Sequence, residues 1–99
     1  MLVVAGHFRI PVQRLDEARP VMQTVISATL AEPGCLAYSY AEDVAEPGLF
    51  RVSEVWEDRA SLSRHFETAH MRHWTTVRDR LGFCDREITV YGVSDLERL

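Results

Sequence analysis

"LFRVSEVWEDRASLSRHF", residues 49–66, changes its period partway along, and that change decides the fold. From Leu49 to Glu57 the side chains alternate. Phe50, Val52, Glu54 and Trp56 share one face, while Arg51, Ser53, Val55 and Glu57 share the other, the pattern of a half-buried strand. Asp58 then offers a side-chain cap, and Leu62 and Phe66 recur four residues apart, so a helix follows directly. Upstream, "EPG" at 46–48 makes a turn, and "CLAYSYAED" at 35–43 sets Leu36, Tyr38 and Tyr40 against Cys35, Ala37 and Ser39. The two strands should therefore pair antiparallel across that turn.

Working outward, "LVVAGHFRI" at 2–10 is almost continuously apolar, as in a strand covered on both faces, and Pro11 ends it. Between Asp16 and Glu32 the positions Ala18, Val21, Met22, Val25, Ile26 and Thr29 recur at helical spacing. Asp16 is the candidate N-cap, and Pro20 predicts a late start with the proline in the first turn. Beyond a break near Thr68, His70, Trp74, Val77 and Leu81 form one stripe that Gly82 stops, and "REITVYGV" at 86–93 is a last strand. The order is β-α-β-β-α-β with the second helical region broken in two. That is a ferredoxin-like α+β fold with one four-stranded antiparallel sheet. Helices can cover one face only, yet "LVVA" and "GCLAY" are apolar on both, so a second copy is expected over the bare face, giving a homodimer whose sheets face each other.

The totals agree with a single domain over residues 1–99. A 46% hydrophobic and 26% charged composition is that of a globular protein. Fifteen acidic against 11 basic residues leave a net charge of -4, so neither nucleic acid nor a membrane surface is an expected partner. Cys35 and Cys84 are too few and too far apart for a disulfide framework or a CxxC site, and are read as reduced thiols. "MLVVAG" is too short for a signal peptide or a membrane span, and a cytoplasmic location is the default expectation.

Glu54 is the anomaly on its strand. A carboxylate between Val52 and Trp56 on an apolar face needs hydrogen bonds or a cation, or its pKa rises until it keeps a proton. It is either a general acid or base, or the group that orients one, or a structural carboxylate. His65, three residues after Leu62, and His70, four before Trp74, both lean toward the sheet. An imidazole lining a dry pocket is a competent base for a phenol-like proton. Either histidine could instead be a satisfied core residue, and of the two His70 is the favoured site residue. His70 and His73 have a spacing that invites a metal, but no cysteine or inward carboxylate joins them, so no metal is expected. His7 could line the pocket or the dimer face. Tyr38 and Tyr40 offer ring area and hydroxyls, or simple packing. No Gly-rich phosphate loop, GxSxG or nucleophilic cysteine with a base is present.

"AEPGCLAYSY", "RVSEVWED" and "HFETAHM", preceded by a strand containing "VVAGHFRI", resemble the antibiotic biosynthesis monooxygenase family of the dimeric α+β barrel superfamily over residues 2–93. The resemblance implies a homodimer with one pocket per subunit between sheet and helices. It also implies the oxidation of polycyclic phenols to quinones by molecular oxygen without metal or flavin, and the expectation for this chain is a cofactor-independent oxidation of a small aromatic or quinol-type compound. Carried onto this chain, the catalytic residues would be His70 or His65, as base or hydrogen-bond partner, with Glu54 orienting a histidine or the substrate. Trp56 and Tyr38 would wall the ring, with Tyr40, His7 and Trp74 as further substrate contacts. The chain departs from many relatives at "ETAH", where they carry proline before the second histidine, which bears on the aim of His70. Fold alone leaves three other readings open: a heme-degrading enzyme using an axial histidine such as His73, an isomerase gathering a phosphate with Arg51 and Arg72, and a non-catalytic small-molecule-binding dimer.

Overall fold

A computed structural model describes all 99 residues. In chain order the elements are β1 (Leu2–Arg9), a 3-10 turn (Val12–Arg14), α1 (Leu15–Leu30), β2 (Cys35–Glu42), β3 (Leu49–Trp56), α2 (Arg59–Glu67), α3 (Ala69–Arg80) and β4 (Cys84–Gly92). The sheet order is β2-β3-β1-β4, with every neighbouring pair antiparallel. This is the ferredoxin-like α+β arrangement, with its second helix divided at Thr68. No helix is long and apolar enough to cross a membrane.

Local chemistry explains the divided helix. Asp58 caps α2 by accepting from the Ser61 N–H at 2.8 Å, and Thr68 caps α3 by accepting from the Met71 N–H at 3.3 Å. Thr68 is extended, with φ −69° and ψ 152°, so it ends one helix and opens the next. The core fills the space between the helices and one face of the sheet. Trp56, Trp74, Phe8 and Ile10 are its largest fully buried side chains, and Leu15, Ala18, Met22 and Val25 bring α1 onto it.

Four expectations need correction. Helix α1 begins at Leu15, which places Pro20 well inside it rather than in the first turn. An interior proline forfeits one backbone hydrogen bond, but burying Leu15 and Ala18 against the sheet returns about 2 kcal/mol or more, and the ring points to solvent. Asp16 is not the cap. Arg14 occupies that position without a side-chain capping bond, and Asp16 and Glu17 instead put negative charge in the first turn, where the helix dipole favours it. In β2 a register shift between Cys35 and Ala37 pushes Leu36 out of the tyrosine face to 54% exposure and turns Cys35 onto the core. Finally, β4 begins at Cys84, two residues early, because Arg9 pairs with Cys84 across a second irregularity.

The opposite face of the sheet has no cover within the chain. Val3, Ala5 and Val55 are half-buried there and Tyr91 is exposed.

Candidate active site

Register alone assembles the floor of a cavity. Tyr38 pairs with Glu54, Glu54 with Val4, and Val4 with Val90, while the next row runs Tyr40, Val52, Gly6 and Ile88. Gly6 contributes no side chain to its row, and the β4 backbone at Glu87 and Ile88 closes against it. Above that floor, α2 supplies Leu62 and His65, and α3 supplies Met71, Trp74 and Arg78. Between the layers lies a cavity of about 100 Å³. It opens beside Phe66 and β4, the one strand the helices leave largely exposed.

His65 is 1% exposed and lines this space. Its Nδ1 lies 2.7 Å from Glu32 Oε2, and the same oxygen lies 2.7 Å from His70 Nε2. A carboxylate oxygen accepts, so both ring nitrogens donate to it. The His65 proton is thereby fixed on Nδ1, and Nε2 is left as a lone pair with no partner in the protein. Burial pushes the His65 pKa below its ordinary value, against the opposing pull of Glu32. A neutral imidazole with an anchored Nδ1 and a free Nε2 is the arrangement of a general base held by a carboxylate.

Glu54 also lines the cavity. Its Oε1 accepts from the Trp56 indole N–H at 2.8 Å. Burial drives its pKa up, while the Trp56 bond and the charge of Arg86 pull the other way. The net rise makes it a carboxyl that takes a proton readily. The Tyr38 and Tyr40 hydroxyls are hydrogen-bonded to each other. Burial pushes the Tyr40 phenol up to about 12 and the Tyr38 phenol higher still, so both are donors and acceptors rather than anions.

Not every anticipated residue reaches the cavity. His65, Glu54, Tyr38, Tyr40 and Trp74 line it together. His70 does not: it sits behind Glu32, half-buried beside Pro20, Val21 and His73. Helix α3 starts only at Ala69, so His70 lies in its first turn, displaced toward α1, whereas His65 belongs to the buried face of α2. Trp56, on the same face as Glu54, is wholly buried against the His65 ring, 4.8 Å between centroids, and holds Glu54 rather than lining the cavity. His7 is on the uncovered face of the sheet, 4.0 Å from Glu87. Glu32 went unread in the sequence. Its contacts lie 33 and 38 residues away, and the only hint was that two inward histidines need an acceptor. Its seat is set by the turn after α1, where Gly34, at φ +84°, lies so close to α2 that a Cβ would come within 2.0 Å of Ser61 Oγ.

Glu32, His65 and His70 are also the three residues best placed to hold a metal, with donor atoms within 4.8 Å of one another. The spacing argues otherwise. Ligands about 2.1 Å from a tetrahedral ion stand about 3.4 Å apart, whereas both nitrogens here approach one oxygen to 2.7 Å, the separation of shared protons.

Comparison with known proteins agrees with this architecture. A family model described as antibiotic biosynthesis monooxygenase matches residues 1–77. An uncharacterized protein of Synechocystis, sll1783, is 33% identical over 98 residues, which is 99% of this chain and 67% of that one. YcnE of Bacillus subtilis, provisionally named a monooxygenase, is 29% identical over 72 residues, covering 73% of this chain and 76% of its own. Among solved structures, a protein of Deinococcus radiodurans provisionally described as an antibiotic biosynthesis monooxygenase shares the fold with a TM-score of 0.92 at 23% identity, covering 100% of this chain and 98% of the other. With its sheet order, divided second helix and family match in agreement, the chain belongs to the antibiotic biosynthesis monooxygenase family.

Proposed function

We propose that the protein is a cofactor-independent monooxygenase that oxidises an electron-rich single-ring phenol or quinol with molecular oxygen. The observation that supports this most is the free Nε2 of His65, presented by a Glu32-anchored ring to an aromatic-walled cavity. A cavity of about 150 Å³ holds one benzene ring; about 100 Å³ with an open mouth suits one ring and excludes a fused polycycle or a heme.

The chemistry balances. His65 Nε2 takes the phenolic proton, and Glu32 stabilises the imidazolium that results. The phenolate passes one electron to oxygen, the two radicals join at a hydrogen-bearing ring carbon ortho or para to the phenolic oxygen, and the His65 imidazolium returns its proton to the peroxide. Loss of that carbon's hydrogen with cleavage of the O–O bond releases water and leaves a quinone: phenol plus O₂ gives quinone plus water. Tyr38, Tyr40 and Trp74 hold the ring and keep solvent from the anion. In this reading two copies meet through the uncovered sheet faces.

Oxygen uptake with a panel of single-ring hydroquinones and phenols tests the proposal. The intact protein should consume oxygen with at least one of them, and His65→Ala should lower the rate by about 10²-fold or more. If no member is turned over faster than in buffer, the oxygenase reading falls and a binding dimer replaces it.

A further inference from the structure

Two guanidinium groups at the cavity take no part in the proton transfer and make no ion pair within the protein. Arg78, in the last turn of α3, lines the cavity from above, and Arg86, on β4, from its open side. Arg9, Arg14, Arg19 and Arg51 each pair with a carboxylate; of the seven arginines that join no ion pair, only Arg78 and Arg86 line the cavity. The Arg78 Nε is buried and donates to nothing. Its guanidinium carbon stands 4.5 Å from the centroid of the Phe83 ring, a contact that fixes the group in place.

An orphaned buried donor and two neighbouring like charges are each unfavourable, and both would be relieved by an anion between them. The protein does not supply one. Glu54 is the only carboxylate on the cavity wall; it is committed to Trp56, and burial drives it toward its neutral form. A chain of net charge -4 has therefore placed two arginines without an ion pair at this aromatic-walled cavity.

We propose that the substrate is a single-ring compound bearing a carboxylate, held between Arg78 and Arg86 while the ring lies beneath His65. This rests on the same cavity as the oxygenase reading and adds the chemical class of what enters it. A planar carboxylate matches the flat edge of a guanidinium. It also suits the space better than a tetrahedral phosphate, since one ring already occupies most of about 100 Å³.

Titration calorimetry with 4-hydroxybenzoate, its neutral isostere 4-hydroxybenzamide and 4-hydroxyphenyl phosphate tests this without any turnover. The carboxylate should bind about tenfold tighter than the amide, or more, with a preference that weakens in salt. Arg86→Gln, at an exposed position where folding is not at risk, should remove most of that preference, and Arg78→Met should remove it too. Equal affinity for carboxylate and amide, no measurable binding of the carboxylate, or an undiminished preference in Arg86→Gln would overturn the inference. Tighter binding of the phosphate ester than of the carboxylate would overturn the choice of anion. Because oxygen is not consumed, a protein that binds the carboxylate without oxidising the panel would uphold this inference while the oxygenase reading fails.

Discussion

At the scale of single residues the account turns on Glu32 and His65. Glu32 raises the His65 pKa by its hydrogen bond and its charge, while burial lowers it by more. Glu32→Gln removes the charge, so the pKa should fall further and the acid limb of the rate profile should move to lower pH. The rate itself should drop by about tenfold to 10²-fold as the ring loses its anchor. A merely structural glutamate would leave that limb in place. Glu54 makes the opposite prediction for stability. Its folded pKa is raised above the unfolded value, so whatever protonated Glu54 contributes is fully present below the ordinary glutamate range and is lost as pH rises through the folded pKa. Above its folded pKa the buried carboxylate is a burden. Glu54→Gln keeps an acceptor for the Trp56 indole and should raise the melting temperature above pH 7 but not in acid, as calorimetry at two pH values would reveal. Glu54 was legible because its neighbours at 52 and 56 are apolar, making the strand's own alternation expose the misfit. Glu32, Arg78 and Arg86 were not, because a turn glutamate and two arginines look like solvated surface until the topology brings them to one cavity.

At the scale of elements, glycine placement does work that no pattern of hydrophobicity records. A Cβ at Gly6 would lie 2.0 Å from the Glu87 carbonyl oxygen and 2.7 Å from Ile88 Cα, so β1 and β4 approach more closely there than any side chain permits. Gly6→Ala should cost about 3 kcal/mol, by the measure of a backbone clash, and hydrogen exchange should quicken first in β4. The Thr29 hydroxyl in α1 is wholly buried with no partner. Replacing it with a methyl of the same shape removes an unpaired polar group, so Thr29→Val should stabilise by about 1 kcal/mol, seen as a melting temperature several degrees higher. Element order and type were readable throughout, since the period-2 and period-3.6 segments are long and separated by Pro-Gly turns. Starts were less so. The proline rule misplaced the onset of α1 because tertiary burial of Leu15 and Ala18 outweighs a local preference, and the register shift that ejects Leu36 from β2 depends on its pairing with β3.

At the scale of the whole molecule, a sheet covered on one face cannot be the finished assembly this reading requires. Val55 sits on the uncovered face on an interior strand, paired with Val3. In sedimentation equilibrium the intact chain should behave as twice its 11.3 kDa, and Val55→Glu should sediment as a single chain, because an unpaired carboxylate in an apolar interface is costly to bury. The apolar character of both faces of the first strand was enough to anticipate a bare surface; the location of the cavity mouth at β4 required the helices to be in place. The whole account depends most on one atom, the unprotonated Nε2 of His65. Long-range nitrogen-15 NMR on uniformly labelled protein near neutral pH reads it directly. A neutral His65 ring with its proton on Nδ1, and a perturbed Nδ1 shift in Glu32→Gln, are the expected result. A proton on Nε2, or an imidazolium that persists above pH 7, would contradict it.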